Sequence, residues 1–151
     1  MSDIVIFDLD GTIALIDKRR ELSTNKDYKI DWDIFFDPKN IKLDKPNYPV
    51  IDILKLLKSK GFKIFILSGR LNTPKAATLE WLYKNNIEFD QIKMRKNTIK
   101  GKYISDVELK EKWMTEIGKE NIFCVFDDRN ALVEMWRRNG LTCFQVADGN
   151  F

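Results

Sequence analysis

Histidine is absent from this chain of 151 residues. That removes histidine phosphatases, Ser-His-Asp hydrolases, histidine-ligated zinc and any histidine general base from consideration. Acid–base chemistry must then come from carboxylates, lysine, tyrosine or a metal-bound water. Cysteine is scarce, with two residues. Cys124 and Cys143 each sit inside an apolar strand-like run and read as small buried hydrophobes. A thiol phosphatase needs an arginine-bearing phosphate loop directly after its cysteine, whereas Cys124 runs into Val125-Phe126-Asp127-Asp128, whose carboxylates would repel phosphate. No apolar run approaches the ~20 residues that span a bilayer. The first strand is expected near Ile4, leaving no space for a signal peptide, and the expected location is the cytoplasm. A G-x-x-x-x-G-K-[ST] phosphate loop is missing too, since Gly101-Lys102 lacks both the upstream glycine and the Ser or Thr; no kinase activity is expected.

What is present is an ordinary globular composition, 44% hydrophobic and 32% charged, with a net charge of +3 that weakly favours an anionic partner. Four short, nearly continuous apolar runs read as strands covered on both faces: Ile4–Phe7, Lys63–Leu67, Ile122–Phe126 and Thr142–Val146, with Gln91–Met94 as a fifth. Helical periodicity lies between them. Val50–Lys60 stops at Gly61, and Thr73–Asn85 is expected to start with Thr73 as cap and Pro74 at the first helical position. Asp106–Ile117 is expected to open on an acidic cap, and Asn130–Asn139 ends at Gly140. The alternation implies an α/β fold with a mostly parallel five-stranded sheet and right-handed crossovers. Residues 15–49, rich in Asp, Lys, Asn and Pro, read as a small cap-like insertion after the first strand within a single domain spanning 1–151.

Sites in open parallel sheets form beyond the carboxyl ends of the strands. The first strand is followed by Asp8-Leu9-Asp10-Gly11-Thr12, the second by Ser68-Gly69-Arg70 and the fourth by Asp127-Asp128-Arg129, with Lys110 on the preceding helix. Any one of these groups has a plain structural explanation, such as a capping Asp, a turn or a solvated lysine. Their coincidence at strand ends does not. Converging carboxylates repel one another unless a cation lies between them, and an oxygen-only donor set suits Mg²⁺.

These motifs resemble the haloacid dehalogenase superfamily. Phe7-Asp8-Leu9-Asp10-Gly11-Thr12 is similar to its first motif, Leu67-Ser68-Gly69-Arg70 to its second, Lys110 to its third and Phe126-Asp127-Asp128-Arg129 to its fourth. Asp106-Val107-Glu108-Leu109-Lys110, Val133-Glu134-Met135-Trp136-Arg137-Arg138 and Gln145-Val146-Ala147 further resemble the 3′-phosphatase domain of phage polynucleotide kinase-phosphatase. The resemblance implies a haloacid-dehalogenase-like (Rossmann-like) three-layer sandwich and a magnesium-dependent phosphomonoesterase. It also implies roles. Asp8 is the nucleophile, Asp10 the acid and then the base, and Ser68 and Lys110 are phosphate-contacting groups. The metal ligands come from Asp8, the Asp10 carbonyl, and Asp127 or Asp128.

The short insertion leaves the site open to a polymer end. Thr12, Gly69, Arg70, Arg95 and Arg129 are expected to contact substrate, and Lys18-Arg19-Arg20 and the stretch Lys93, Arg95, Lys96, Lys100 and Lys102 to follow a nucleic-acid backbone. Trp32, Phe35 and Phe36 read either as base-stacking groups or as the insertion's own core. The expected substrates are phosphorylated nucleic-acid ends, with a separate kinase or ligase partner and no membrane association. A nucleoside-monophosphate phosphatase is the second reading and a non-catalytic binding domain the third.

Overall fold

The computed structural model describes residues 2–96 and 103–151. Its central sheet contains β1 (Ile4–Phe7), β4 (Lys63–Leu71), β5 (Gln91–Arg95), β6 (Ile122–Asp127) and β7 (Cys143–Gln145). The spatial order is β5-β4-β1-β6-β7, and every neighbouring pair is parallel. Parallel pairing forces each connection to cross a face of the sheet, so helices cover both sides. The pleat then divides the strand residues. Val5, Phe7, Ile64 and Ile66 pack with Val50, Leu54, Trp81 and Leu82 from α4 (Tyr48–Ser59) and α5 (Lys75–Lys84). Ile4, Ile6, Phe65 and Leu67 pack with Trp113, Met114, Leu132 and Trp136 from α6 (Asp106–Ile117) and α7 (Asn130–Arg138). Two cores on one sheet make the expected three-layer sandwich.

The insertion folds as a short ribbon and three small helices: β2 (Ala14–Leu15), α1 (Asp17–Ser23), α2 (Trp32–Phe35), α3 (Pro38–Ile41) and β3 (Lys45–Pro46), with β2 and β3 antiparallel. Hydrogen bonds tie it to the body of the fold. The Trp81 indole donates to the Asp44 carbonyl at 3.0 Å, and the Asn47 amide side chain donates to the Thr12 carbonyl at 2.9 Å.

Several boundaries differ from the sequence expectation. Helix α5 begins at Lys75 with Pro74 in the cap position, so Pro74 stands one step outside the helix. Helix α6 is capped by Ser105, whose hydroxyl accepts from the Glu108 amide at 3.2 Å, and Asp106 lies in the first turn. A first-turn carboxylate also favours the positive end of the helix dipole, which is why the two assignments look alike in sequence. Strand β4 continues past Leu67 through Ser68, Gly69 and Arg70, with a register irregularity against β5 between Ser68 and Leu71. Cys124 and Cys143 are both buried and unbridged, and burial pushes their thiols up to about 11 and about 12. No thiolate forms near neutrality at either position. Among the described residues no helix is long and apolar enough to cross a membrane.

Candidate active site

The carboxyl ends of β1, β4 and β6 open into one cavity of about 340 Å³. Asp8, directly after β1, keeps the ladder going by donating its amide to the Phe126 carbonyl at 2.9 Å, which holds its side chain beside the end of β6. Carboxylate oxygens of Asp8, Asp127 and Asp128 lie within 4.8 Å of one another, and all three residues are buried. Lys110, 1% exposed, reaches in from α6 and donates to Asp8 at 2.6 Å and to Asp127 at 3.3 Å. Three acids thus face one ammonium.

The titration behaviour follows from that imbalance. Burial drives the Asp8 carboxyl well above its ordinary value; Lys110 pulls it down, and Asp127 and Asp128 push it further up. Burial and the charge of Asp127 likewise raise Asp128. For Lys110, burial disfavours the charge, but Asp127 and Asp8 outweigh it and hold the lysine above its usual value. The local surplus is negative, and the donors are all oxygens, so the cluster fits a hard divalent cation.

The two neighbouring acids differ in what they have free. Asp127 accepts from Lys110 and the Trp136 indole on one oxygen and from the Asp128 amide on the other. Asp128 accepts from the Thr12 hydroxyl at 3.3 Å and lines the cavity. A Cβ on Gly11 would run into the Asp128 carboxylate, and Gly11 has φ +83°. Only glycine meets both demands there. Thr12 also donates towards Asp8, at 3.3 Å, so its hydroxyl spans two of the three acids from a buried position.

Asp10 sits in a different electrostatic setting. Burial raises its carboxyl, but Arg70 and then Arg19 overcome that and lower it to about 2. Arg70 Nη2 donates to Asp10 Oδ1 at 2.6 Å, and Arg19 Nη2 to the same oxygen at 2.7 Å. Asp44 closes the arrangement, accepting from Arg19 at 2.8 and 3.0 Å and from Arg70 at 2.9 Å. Two cations and two anions therefore balance in a square that is enclosed except at Asp10, which keeps partial exposure to the cavity.

Arg19 and Arg70, expected from the sequence to contact substrate, are drawn in the structure onto Asp10 and Asp44. Both guanidinium groups are enclosed, with their donors committed to Asp10, Asp44, Thr78 and the Phe35 carbonyl. Their charge orients Asp10. Arg95 is also turned inward, onto the carbonyls of Gly69 and Ile104 and the carboxylate of Asp106. Arg129 remains partly open, donating to Asp106 at 3.1 Å and to the Phe151 carbonyl at 2.9 Å. Gly69 makes room for this arrangement, because a Cβ there would lie 2.6 Å from Asp106 Oδ1. Ser68 lines the cavity from a buried position, its oxygen accepting from the Arg70 amide at 3.1 Å, and among the described residues its hydroxyl proton meets no acceptor and is available to a ligand. Of the second basic stretch, Lys100 and Lys102 lie outside the described residues, and Lys93 pairs with Glu116 at 3.4 Å.

Asp44 and Asp106 were not singled out from sequence as site residues. Asp106 had a readable signal, since it precedes Lys110 by four positions and so shares its helix face. Asp44 had none: it lies in the irregular insertion, and only the folded chain carries it to Arg19 and Arg70.

A model of the polynucleotide kinase PNKP phosphatase domain matches residues 2–151. A chain of the Pnkp1/Rnl/Hen1 RNA repair complex is 36% identical, with a TM-score of 0.76, over 97% of this chain and 43% of its own length. A second structure of the Pnkp1/Rnl/Hen1 complex gives 35% identity and a TM-score of 0.76, over 99% of this chain and 48% of the other. The present chain thus spans less than half of these relatives. A predicted phosphatase from Clostridium acetobutylicum shares the fold at 16% identity and a TM-score of 0.70, over 96% of this chain and 84% of that one.

Proposed function

The chain belongs to the polynucleotide kinase PNKP phosphatase domain family, and on that premise we propose that it is a magnesium-dependent polynucleotide 3′-phosphatase that works through an aspartyl-phosphate on Asp8. Its class is that of a haloacid dehalogenase-type phosphoric monoester hydrolase. The observation that carries the proposal is the gathering of Asp8, Asp127 and Asp128 around one point, with Lys110 on one side and an open cavity on the other.

In the first step an oxygen of Asp8 attacks phosphorus. The bond from phosphorus to the 3′ oxygen breaks, and Asp10 gives its proton to the departing alkoxide. In the second step water attacks the phosphorus of the aspartyl-phosphate, Asp10 takes the proton, and Asp8 is released with inorganic phosphate. Asp10, whose carboxyl Arg70 and Arg19 hold at about 2 in the substrate-free protein, stands ionised there, the charge state in which the second step needs it. For the first it must arrive protonated, and the negative charge of a phosphate entering the cavity that Asp10 lines favours that protonation. Ser68 donates to a phosphoryl oxygen, and Lys110 offsets the charge of another while keeping Asp8 in line. Asp8, Asp128 and the Asp10 carbonyl would hold magnesium, with Asp127 held behind them by Lys110 and Trp136. The metal supplies charge neutralisation at the phosphoryl oxygens.

A thermal-shift measurement tests the metal reading. Asp8 and Asp128 have carboxyls raised by folding, so each favours the folded state while protonated and loses that contribution as pH rises through the raised value. As the pH rises and these carboxyls ionise, their mutual repulsion grows in the metal-free protein. Saturating magnesium should raise Tm by about 5 °C at about pH 7.5, and by clearly less at about pH 5, where protons compete for the same oxygens. A shift that grows towards acid would contradict the assigned ligands.

The place of the similar chains in an RNA repair complex favours end-healing, with a separate kinase or ligase partner acting before or after phosphate removal. Substrate class is tested by phosphate release from a 3′-phosphorylated oligonucleotide beside free nucleoside monophosphates. The oligonucleotide should turn over at least about tenfold more efficiently at low salt and lose that advantage as salt rises. Faster turnover of the free nucleotides would instead establish a nucleotidase.

A further inference from the structure

The two aromatic residues of α2, Trp32 and Phe35, and Phe36 just after it do not share one environment. Phe35 is 5% exposed and lies within the core, with the Arg19 guanidinium 4.4 Å from its ring centre, and Phe36 is half-buried against the same core. Trp32 is 57% exposed and lines the cavity that contains Asp8. The other three tryptophans, Trp81, Trp113 and Trp136, are all buried. The exposed indole is nevertheless held in place: Phe36 stacks on it at 5.8 Å with an interplanar angle of 20°, and Phe35 meets it edge-on at 5.4 Å and 82°. A large ring fixed by its neighbours but left open to an active-site cavity is a platform that loses little freedom when a planar ligand settles on it.

A second observation concerns Arg20, which lines the same cavity. Its guanidinium lies 4.8 Å from the Phe151 ring centre, and among the described residues its buried Nε–H meets no acceptor. The Nε–H itself is closed off from solvent, so a ligand would meet this guanidinium through the part of Arg20 that lines the cavity. The partner best matched to a guanidinium is an anionic phosphate oxygen.

We propose that Trp32 and Arg20 form a subsite for the nucleotide that carries the scissile phosphate, with Trp32 stacking on its base and Arg20 hydrogen-bonding the phosphodiester on its 5′ side. The inference rests on the 3′-phosphatase reading and adds to it a grip on the terminal base. Because every base has a π face, the subsite accepts any of them, and it distinguishes a nucleotide end from a phosphate ester with no base.

The test uses the full chain with magnesium and three substrates: a 3′-phosphorylated oligonucleotide, the same oligonucleotide with an abasic 3′-terminal nucleotide, and glycerol 2-phosphate. The expected result is a kcat/KM about tenfold higher for the base-bearing end than for the abasic end, with that ratio collapsing towards unity in Trp32→Ala. Arg20→Ala should lower both oligonucleotides relative to glycerol 2-phosphate. A readout free of turnover uses Asp8→Asn, in which the oligonucleotide should quench the exposed indole; the quench should vanish in Asp8→Asn/Trp32→Phe. An unchanged base-to-abasic ratio in Trp32→Ala, or a quench that survives in the double variant, overturns the subsite and leaves the 3′-phosphatase reading standing. Hydrolysis of glycerol 2-phosphate with neither oligonucleotide turned over overturns that reading and the subsite with it.

Discussion

Asp8→Asn is expected to slow phosphate release by at least about 10⁴-fold while leaving the protein folded. The carboxamide nearly matches the carboxylate in shape, and its oxygen still accepts from Lys110, which donates to Asp8 at 2.6 Å. Removing one of three mutually repelling acids also relieves the cluster in the metal-free protein. What is lost is the nucleophile: an amide oxygen is too weak a base to open the phosphoryl transfer. Single-turnover phosphate release together with circular dichroism checks both halves of the expectation. Turnover within about tenfold of the parent would remove Asp8 from the reaction.

The second large effect is on stability. Arg19→Ala should destabilise the fold by about 3–5 kcal/mol, because it leaves Asp44 enclosed with half of its compensating charge gone. Arg19 Nε and Nη2 grip the two oxygens of Asp44 at 3.0 and 2.8 Å, and Nη2 also reaches Asp10 at 2.7 Å. Neither Arg19 nor Asp44 has measurable side-chain exposure. Lysine cannot reproduce this fork, so Arg19→Lys should recover only a small part of the loss. The adjacent Lys18, whose side chain is 56% exposed, gives the contrast: Lys18→Ala should stay within about 0.5 kcal/mol. Urea denaturation of the three variants measures the difference. Equal midpoints for Arg19→Ala and Lys18→Ala would refute the buried network.

Lys18, Arg19 and Arg20 also show how far the sequence could be read. In the chain they are one basic cluster. In the fold they have three fates: an exposed lysine, an enclosed arginine that orients Asp10, and a cavity-wall arginine with an unsatisfied donor. A short helix between irregular segments carries no periodicity long enough to say which face is inward. Trp32, Phe35 and Phe36 divide in the same way, into one exposed ring and two that join the core. The helix starts near Pro74 and Ser105 were offset by one residue, because a first-turn residue and a cap have similar chemistry in sequence.

The strands, their parallel order of connection and the delivery of Asp8, Asp10, Ser68, Lys110, Asp127 and Asp128 to one edge of the sheet are properties of the sequence by itself. Runs of apolar residues covered on both faces, separated by helical periods, leave a chain little choice of architecture, and a strand end fixes where the residue after it emerges. The counter-charges are another matter. Asp44 reaches Arg19 and Arg70 across separations of 25 and 26 residues, through an insertion with no regular pattern. Such pairings follow from long-range packing and from the cost of leaving a buried charge alone, and neither leaves a mark at any single position in the chain.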